Sequence, residues 1–203
     1  MNTFQHWNHN AAYYGWIKQQ VSACHSILDV GCGDGSLIRF LADGSKQLIG
    51  IDNNDFCISG AQEDNTCPFS SFICCNFEDY IPEKPFDAII FVASIHHMDM
   101  LSAIKKAKTF LSPDGILLIV GIAKPSNIKD YVIEGLRVLP CRIISKLKHM
   151  RSSEDAHIPV SYNLLSLDEV RAVISEELPN GFIKQGLYYR YLVKWQKQIS
   201  ICR

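Results

Sequence analysis

The sequence predicts an α/β fold: a doubly wound sheet of about seven strands, mostly parallel, with an antiparallel strand closing one edge. Three observations predict it. Short apolar runs alternate with amphipathic stretches of helical spacing between residues 26 and 121. Two of those runs, Ala88-Ile89-Ile90-Phe91-Val92 and Ile116-Leu117-Leu118-Ile119-Val120, are apolar at every position, as strands covered on both faces are. The tail then changes to period-two alternation, with Tyr189, Tyr191, Val193 and Trp195 on one face.

Taken in order, residues 8–22 read as an amphipathic helix carrying Tyr13, Tyr14, Trp16 and Ile17. Strands are expected near 26–31, 47–52, 70–75, 86–93 and 115–121, with helices near 35–43, 55–62 and 99–111 between them. Such alternation implies crossover connections and a parallel sheet. The gap at 76–85, with Pro82 and Pro85, reads as a loop. Ser112-Pro113-Asp114-Gly115 ends one helix and opens the next strand. Residues 127–150 suggest one or two helices broken at Pro140, with a basic end at Lys146, Lys148, His149 and Arg151, and 152–163 a loop. A last helix runs from Leu167 to Leu178, where Ser166 and Glu169 have capping-box spacing. Pro179-Asn180-Gly181 is a turn, and 182–197 form two closing strands, at least one antiparallel.

The chain has 203 residues, 47% hydrophobic and 20% charged, enough for one ordered domain with a sizeable core. We divide it into an N-terminal lid helix (1–22), a core (23–121), an insertion (122–165) and a closing helix with strands (166–203). A net charge of −1 gives no global attraction to nucleic acid or an anionic bilayer. No apolar run reaches membrane-spanning length, and the first residues lack signal-peptide character, so a cytoplasmic location is expected. The eight cysteines include no Cys-x-x-Cys pair and no zinc spacing. They read as small buried hydrophobes, and no metal site is expected.

The densest signal is Ile27-Leu28-Asp29-Val30-Gly31-Cys32-Gly33-Asp34-Gly35-Ser36, an apolar run, an acid, a turn with three alternate glycines and a helix start. Such a turn brings bare backbone close to a ligand. A dinucleotide site wants Gly-x-Gly-x-x-Gly. Here the spacing is Gly-x-Gly-x-Gly, and an acid at Asp29 suits an ammonium group and repels a pyrophosphate. Asp52 ends the second strand, where a carboxylate can accept bonds from ribose hydroxyls at about 1.5–3 kcal/mol each. A solvated acid capping the next helix is the alternative there.

These pieces resemble the class I S-adenosylmethionine-dependent methyltransferases, with their Rossmann-like sheet. The likeness rests on Leu28-Asp29-Val30-Gly31-Cys32-Gly33-Asp34-Gly35, Ile49-Gly50-Ile51-Asp52, Phe86-Asp87-Ala88-Ile89-Ile90, and Phe110-Leu111-Ser112-Pro113-Asp114-Gly115. It implies S-adenosyl-L-methionine as donor and S-adenosyl-L-homocysteine as product. It further implies that Asp29 holds the methionine ammonium and that Gly31, Cys32, Gly33 and Gly35 form the turn around it. Asp52 takes the ribose, Asn53 the adenine edge, and Ala93 lines the site after strand four. Where the family often has an acid for the adenine amine, this chain has Asn76, followed by Phe77; Glu78 and Asp79 are alternative counterparts.

Ligands in open α/β sheets sit beyond the carboxyl ends of the strands. His96 and His97 fall there, as a general base or as substrate ligands. A backbone hydrogen bond, or a cap on the helix near Asp99, is the structural alternative for either. The resemblance makes His9, Tyr13 and Tyr14 lid candidates, against plain core packing by Tyr14, Trp16 and Ile17. His157 and Arg190 are further pocket candidates, and the insertion is the expected substrate wall. The expected partner is a small-molecule methyl acceptor, with no clear nucleic-acid or membrane partner. A binding protein that transfers nothing is the second hypothesis. An NAD-linked oxidoreductase is the third, disfavoured by Asp29 and the glycine spacing. After strand four Ala93-Ser94-Ile95-His96 replaces an Asn-Pro-Pro-Tyr-like motif, which argues against amino-methylation of bases or glutamine.

Overall fold

The computed structural model describes residues 10–124, 164–186 and 190–198. His9, His157, Tyr189 and the expected features of 127–163, including the basic end at 146–151, lie outside them.

Seven strands form one sheet: β1 (Ser26–Val30), β2 (Gln47–Asp52), β3 (Ser70–Cys74), β4 (Phe86–Val92), β5 (Leu111–Ile122), β6 (Phe182–Gln185) and β7 (Arg190–Gln196). Their spatial order is β3-β2-β1-β4-β5-β7-β6. The first five pair in parallel. Strand β7 runs antiparallel to both β5 and β6, so it alone is reversed. The sheet matches the expected class, and the strand order reverses between β1 and β4, where an α/β sheet opens a crevice.

Helices α1 (Tyr14–Gln20), α2 (Ser36–Leu41) and α3 (Asp55–Glu63) share one buried cluster with the sheet. Helices α4 (Met100–Phe110) and α5 (Leu167–Glu177) share the other. The uninterrupted apolar runs follow directly. In β4, Ala88 and Ile90 face the first layer while Ile89 and Phe91 face the second; Leu118 and Val120 divide from Leu117 and Ile119 in the same way along β5.

Two boundaries differ from the sequence reading. Strand β5 begins at Leu111, which pairs with Phe86, and not at Gly115. The Ser-Pro-Asp-Gly stretch is carried inside the strand as an irregularity, with Asp114 in the left-handed region at φ 60°. The short polar side chain of Asp tolerates that conformation. The N-terminal helix is shorter than 8–22: a 3-10 turn at Ala11–Tyr13 leads into α1, which stops at Gln20. The capping box of α5 is present in full, with Ser166 and Glu169 bonding reciprocally.

At the amino ends of the strands, Asp87 Oδ2 accepts from the His25 and Ser26 N–H groups at 2.8 and 3.1 Å, and Oδ1 accepts from Ser112 Oγ at 3.3 Å. This ties β1, β4 and β5 together opposite the edge where the glycine turn lies.

Candidate active site

The turns after β1, β2, β3 and β4 meet at the carboxyl edge of the sheet. The turn after β1 hangs on β2, since Gly31 and Cys32 donate their N–H groups to the Ile51 carbonyl at 2.8 and 3.0 Å. Gly31, Gly33 and Gly35 all have positive φ, at 73°, 54° and 74°. At Gly31 a Cβ would also stand 2.3 Å from Ser94 Cβ, so the turn packs directly on the end of β4. At Gly33 a Cβ would meet nothing within 4 Å, which leaves that backbone open to a ligand.

Asp29 is 2% exposed, and its Oδ1 has no hydrogen-bond partner. Burial first, then the Asp52 and Asp34 carboxylates, push its pKa up to about 8. A buried polar atom left without a partner is rare in native structures and calls for one. Burial first, and the same acids after it, raise the pKa of the Cys32 thiol and of the Tyr14 hydroxyl. Three acids around one turn make a site for a positive group and a poor one for phosphate.

Asp52 accepts from Gly33 N–H through Oδ2 and from Asn54 N–H through Oδ1, both at 2.9 Å. Each oxygen keeps a second lone pair. Beside it, Asn53 Nδ2 donates to Asn76 Oδ1 at 3.3 Å, and Asn76 Nδ2 to Asp79 Oδ2 at 3.2 Å. The structure therefore brings Asp29, the glycines, Asp52, Asn53 and Asn76 to one edge. Two expected site residues turn their side chains away from it. The Phe77 ring is buried edge-on between Phe91 and Phe110, at 5.5 and 6.0 Å between centroids, because its face of the chain turns into the core. The Cys32 side chain lies under the turn, where a Cβ on Gly50 would come within 2.8 Å of its Sγ.

After β4, Ala93 adopts φ 53°, a strained conformation for a residue with a Cβ. Its N–H is held by the Val120 carbonyl at 2.8 Å. The twist turns Ser94 inward, where its Oγ donates to the Val30 carbonyl. Ser94 is the residue that sequence reasoning missed: a buried hydroxyl joining the ends of β1 and β4. A small polar residue just past an apolar run was its only signal.

The 3-10 turn Ile95–His97 follows. His97 is exposed, whereas His96 is half-buried with its ring 4.2 Å from that of His97. Burial first, then His97 and Arg190, bring the His96 pKa down to about 4. Neither histidine caps α4; Asp99 does so itself, its Oδ1 accepting from Ser102 N–H at 2.8 Å. Arg190 does reach this edge: its guanidinium donates to Asn10 Oδ1 at 2.5 Å and its charge is felt at His96. Tyr13 and Tyr14 are buried in the α1 layer. Tyr14 packs 5.6 Å from Phe40. Packing is thus their evident role, with the Tyr14 hydroxyl in the field of Asp29 and Asp34.

Beyond His96 a cavity of about 350 Å³ opens between the start of α4, the end of β5 and α5. Ile95, Met98, Ile122, Leu165, Val170 and Val173 form most of its wall, and His96 enters it.

Comparison with known proteins agrees with this geometry. Residues 28–119 match a family model described as a methyltransferase domain. An uncharacterized methyltransferase of Mycobacterium bovis is 26% identical over 199 residues, covering 96% of this chain and 99% of its own. A ubiquinone biosynthesis O-methyltransferase of Actinobacillus pleuropneumoniae is 30% identical over 142 residues, 62% of this chain and 60% of that one. Among solved structures, the plantazolicin methyltransferase BpumL, in complex with a triazolic desmethylPZN analog and SAH, superposes with a TM-score of 0.63 at 18% identity, covering 94% of this chain and 84% of that one. The N-methyltransferase NodS of Bradyrhizobium japonicum WM9 gives 0.63 at 17% identity, covering 94% and 88%. At those identities the likeness is one of fold.

Proposed function

We propose that this chain is a class I S-adenosylmethionine-dependent methyltransferase that transfers the methyl group to a small-molecule acceptor by direct displacement. The observation that carries the donor site is the buried, unpartnered Asp29 Oδ1 at the mouth of the glycine turn. An ammonium supplies the missing partner and relieves the repulsion among Asp29, Asp52 and Asp34. The same three acids argue against the pyrophosphate of a nicotinamide cofactor.

The residues fit the donor part by part. Asp29 would hold the ammonium, Gly33 offers open backbone to the amino-acid chain, and Asp52 has lone pairs left for ribose hydroxyls. Asn53 and Asn76, already joined, present amide groups to an adenine edge. Bound donor supplies a methyl group made electrophilic by the sulfonium, and S-adenosylhomocysteine is the product. The chain's own contribution is alignment and exclusion of water. Ser94 and the strained Ala93 fix the end of β4 against the turn, which sets where His96 stands. A His96 pKa brought down to about 4 leaves the imidazole in its neutral, proton-accepting form at neutral pH, as a weaker base than an ordinary histidine. Exposed His97 lacks that enclosure.

The apolar cavity next to His96 supports a small acceptor and favours an enzyme over a protein that only binds the donor. The test is incubation of the protein with methyl-labelled donor and a low-molecular-weight cell extract. Label should move to a small organic product. His96→Gln should slow that transfer by about 100-fold or more, in the range of lost general-base catalysis. Label found only in macromolecules, or none transferred at all, would contradict the proposal.

A further inference from the structure

We propose that Tyr191 is a specificity-determining residue: its phenol hydroxyl donates a hydrogen bond to an oxygen or nitrogen lone pair that the acceptor carries besides the atom that is methylated. This rests on the methyltransferase reading above and deepens it by naming a second group that the substrate must have.

The place of the ring is fixed by a glycine. Tyr191 on β7 pairs with Gly121 near the end of β5. A Cβ at position 121 would stand 2.1 Å from Tyr191 Cζ and 2.2 Å from its Oη, so the phenol end lies directly on that glycine and needs it there. The next residue of β5, Ile122, lines the cavity together with Tyr191 and His96. The hydroxyl is thereby held at the carboxyl end of β5, on the edge of the sheet where the glycine turn lies.

Tyr191 is 2% exposed, and a tyrosine hydroxyl so enclosed normally has a hydrogen-bond partner. Among the described residues this one has none. Trp195, on the same face of β7, shows the ordinary arrangement, its Nε1 donating to the Pro179 carbonyl at 3.1 Å. A phenylalanine at 191 would pack into the same cluster equally well, so folding does not account for the hydroxyl. Burial raises the Tyr191 pKa, which keeps the group a phenol at neutral pH and therefore a donor.

Small-molecule sites are mostly apolar, with a few polar groups that fix orientation, and Tyr191 supplies one of them here. A donor on the reacting atom would draw electron density from the lone pair that attacks the methyl carbon. The group that meets Tyr191 is therefore a second one, such as a carbonyl or ether oxygen, and the reacting atom is left to His96.

The test uses two probes of similar shape, acetophenone, whose carbonyl accepts a hydrogen bond, and cumene, which has none to accept. Each is titrated into the full chain, and S-adenosylhomocysteine is titrated separately. Tyr191→Phe should weaken acetophenone binding by about fivefold and leave cumene and S-adenosylhomocysteine within about twofold. The carbonyl stretch of bound acetophenone should lie lower in the wild type than in Tyr191→Phe. The variant should melt no lower than the wild type, since the hydroxyl has no bond within the fold to lose. Val173→Trp, which fills the cavity, should weaken both probes. Acetophenone that does not bind the wild type, equal effects of Tyr191→Phe on the two probes, an unshifted carbonyl stretch, a lowered melting temperature, or binding indifferent to Val173→Trp would each overturn the inference. Wild-type protein that shows the expected pattern yet binds no S-adenosylhomocysteine would bring down the methyltransferase reading instead, and leave the role of the hydroxyl in the cavity standing.

Discussion

Asp29 shows most clearly how one side chain can be poor for stability and good for binding. Its carboxyl has a folded pKa near 8, far above the value near 4 of an unfolded chain. The folded state therefore holds a proton that the unfolded state has lost, so this group lowers ligand-free stability progressively as pH rises from about 4 to about 8. Asp29→Asn should melt close to wild type at pH 5 and higher than wild type at pH 8. Each 1 kcal/mol recovered should appear as about 2–4 °C. The same variant should lose the rise in melting temperature that S-adenosylhomocysteine gives the wild type. A variant less stable than wild type at both pH values would contradict this. Binding an ammonium must also drive the proton off Asp29 near pH 7. Affinity should then increase from pH 6 to 7.5, and calorimetry in buffers of different ionisation enthalpy should register proton release; an uptake would be the wrong sign. Asp29 and Asp52 were legible in the sequence because each lies at the end of an apolar run, and local spacing fixes which edge of the sheet that is. The Asn10–Arg190 bond, between residues 180 positions apart, was not legible, because only the sheet brings them together. The side that the Phe77 ring takes was not legible for a related reason: it is decided by the Phe91 and Phe110 rings packed against it.

At the scale of elements, β5 and α5 hold the cavity open, and each has one position where this is testable. Gly121 lies opposite Tyr191 in the β5–β7 pair, and a Cβ there would come within 2.1 Å of the Tyr191 ring. Tyr191 is buried and lines the cavity, so Gly121→Ala must displace it. We expect a loss of about 1–3 kcal/mol in urea unfolding, typical of overpacking. An unchanged midpoint would show that the ring moves freely. Ser166→Ala removes the capping box of α5 and should lower stability by about 0.5–2 kcal/mol, with donor affinity unchanged, since α5 walls the cavity proposed for the acceptor. The capping box could be read directly from Ser166 and Glu169, because helix caps are local chemistry. The start of β5 could not. The Ser-Pro-Asp-Gly stretch carries a strong turn signal, and only pairing of Leu111 with Phe86 draws it into the sheet.

Across the whole molecule, the sheet separates two tasks. In the proposed reading, the acids and amides at the β1, β2 and β3 ends take a polar, positively charged donor, and the β4 and β5 ends lead into an apolar cavity walled by α4 and α5. The first half was legible because its motifs are contiguous stretches with fixed spacing. The second was not, since its wall is drawn from residues between Ile95 and Tyr191 that share no motif. Among the described residues, no helix is long and apolar enough to cross a membrane. The central claim is that the turn after β1, with Asp52 beside it, is the donor site. Titration calorimetry of S-adenosylhomocysteine into the wild type and Asp52→Ala tests it most directly. The account predicts one site per chain in the wild type and a loss of about tenfold or more in the variant, as expected when hydrogen bonds to a charged acceptor are removed. Equal affinity in the two proteins, with both folded, would contradict it.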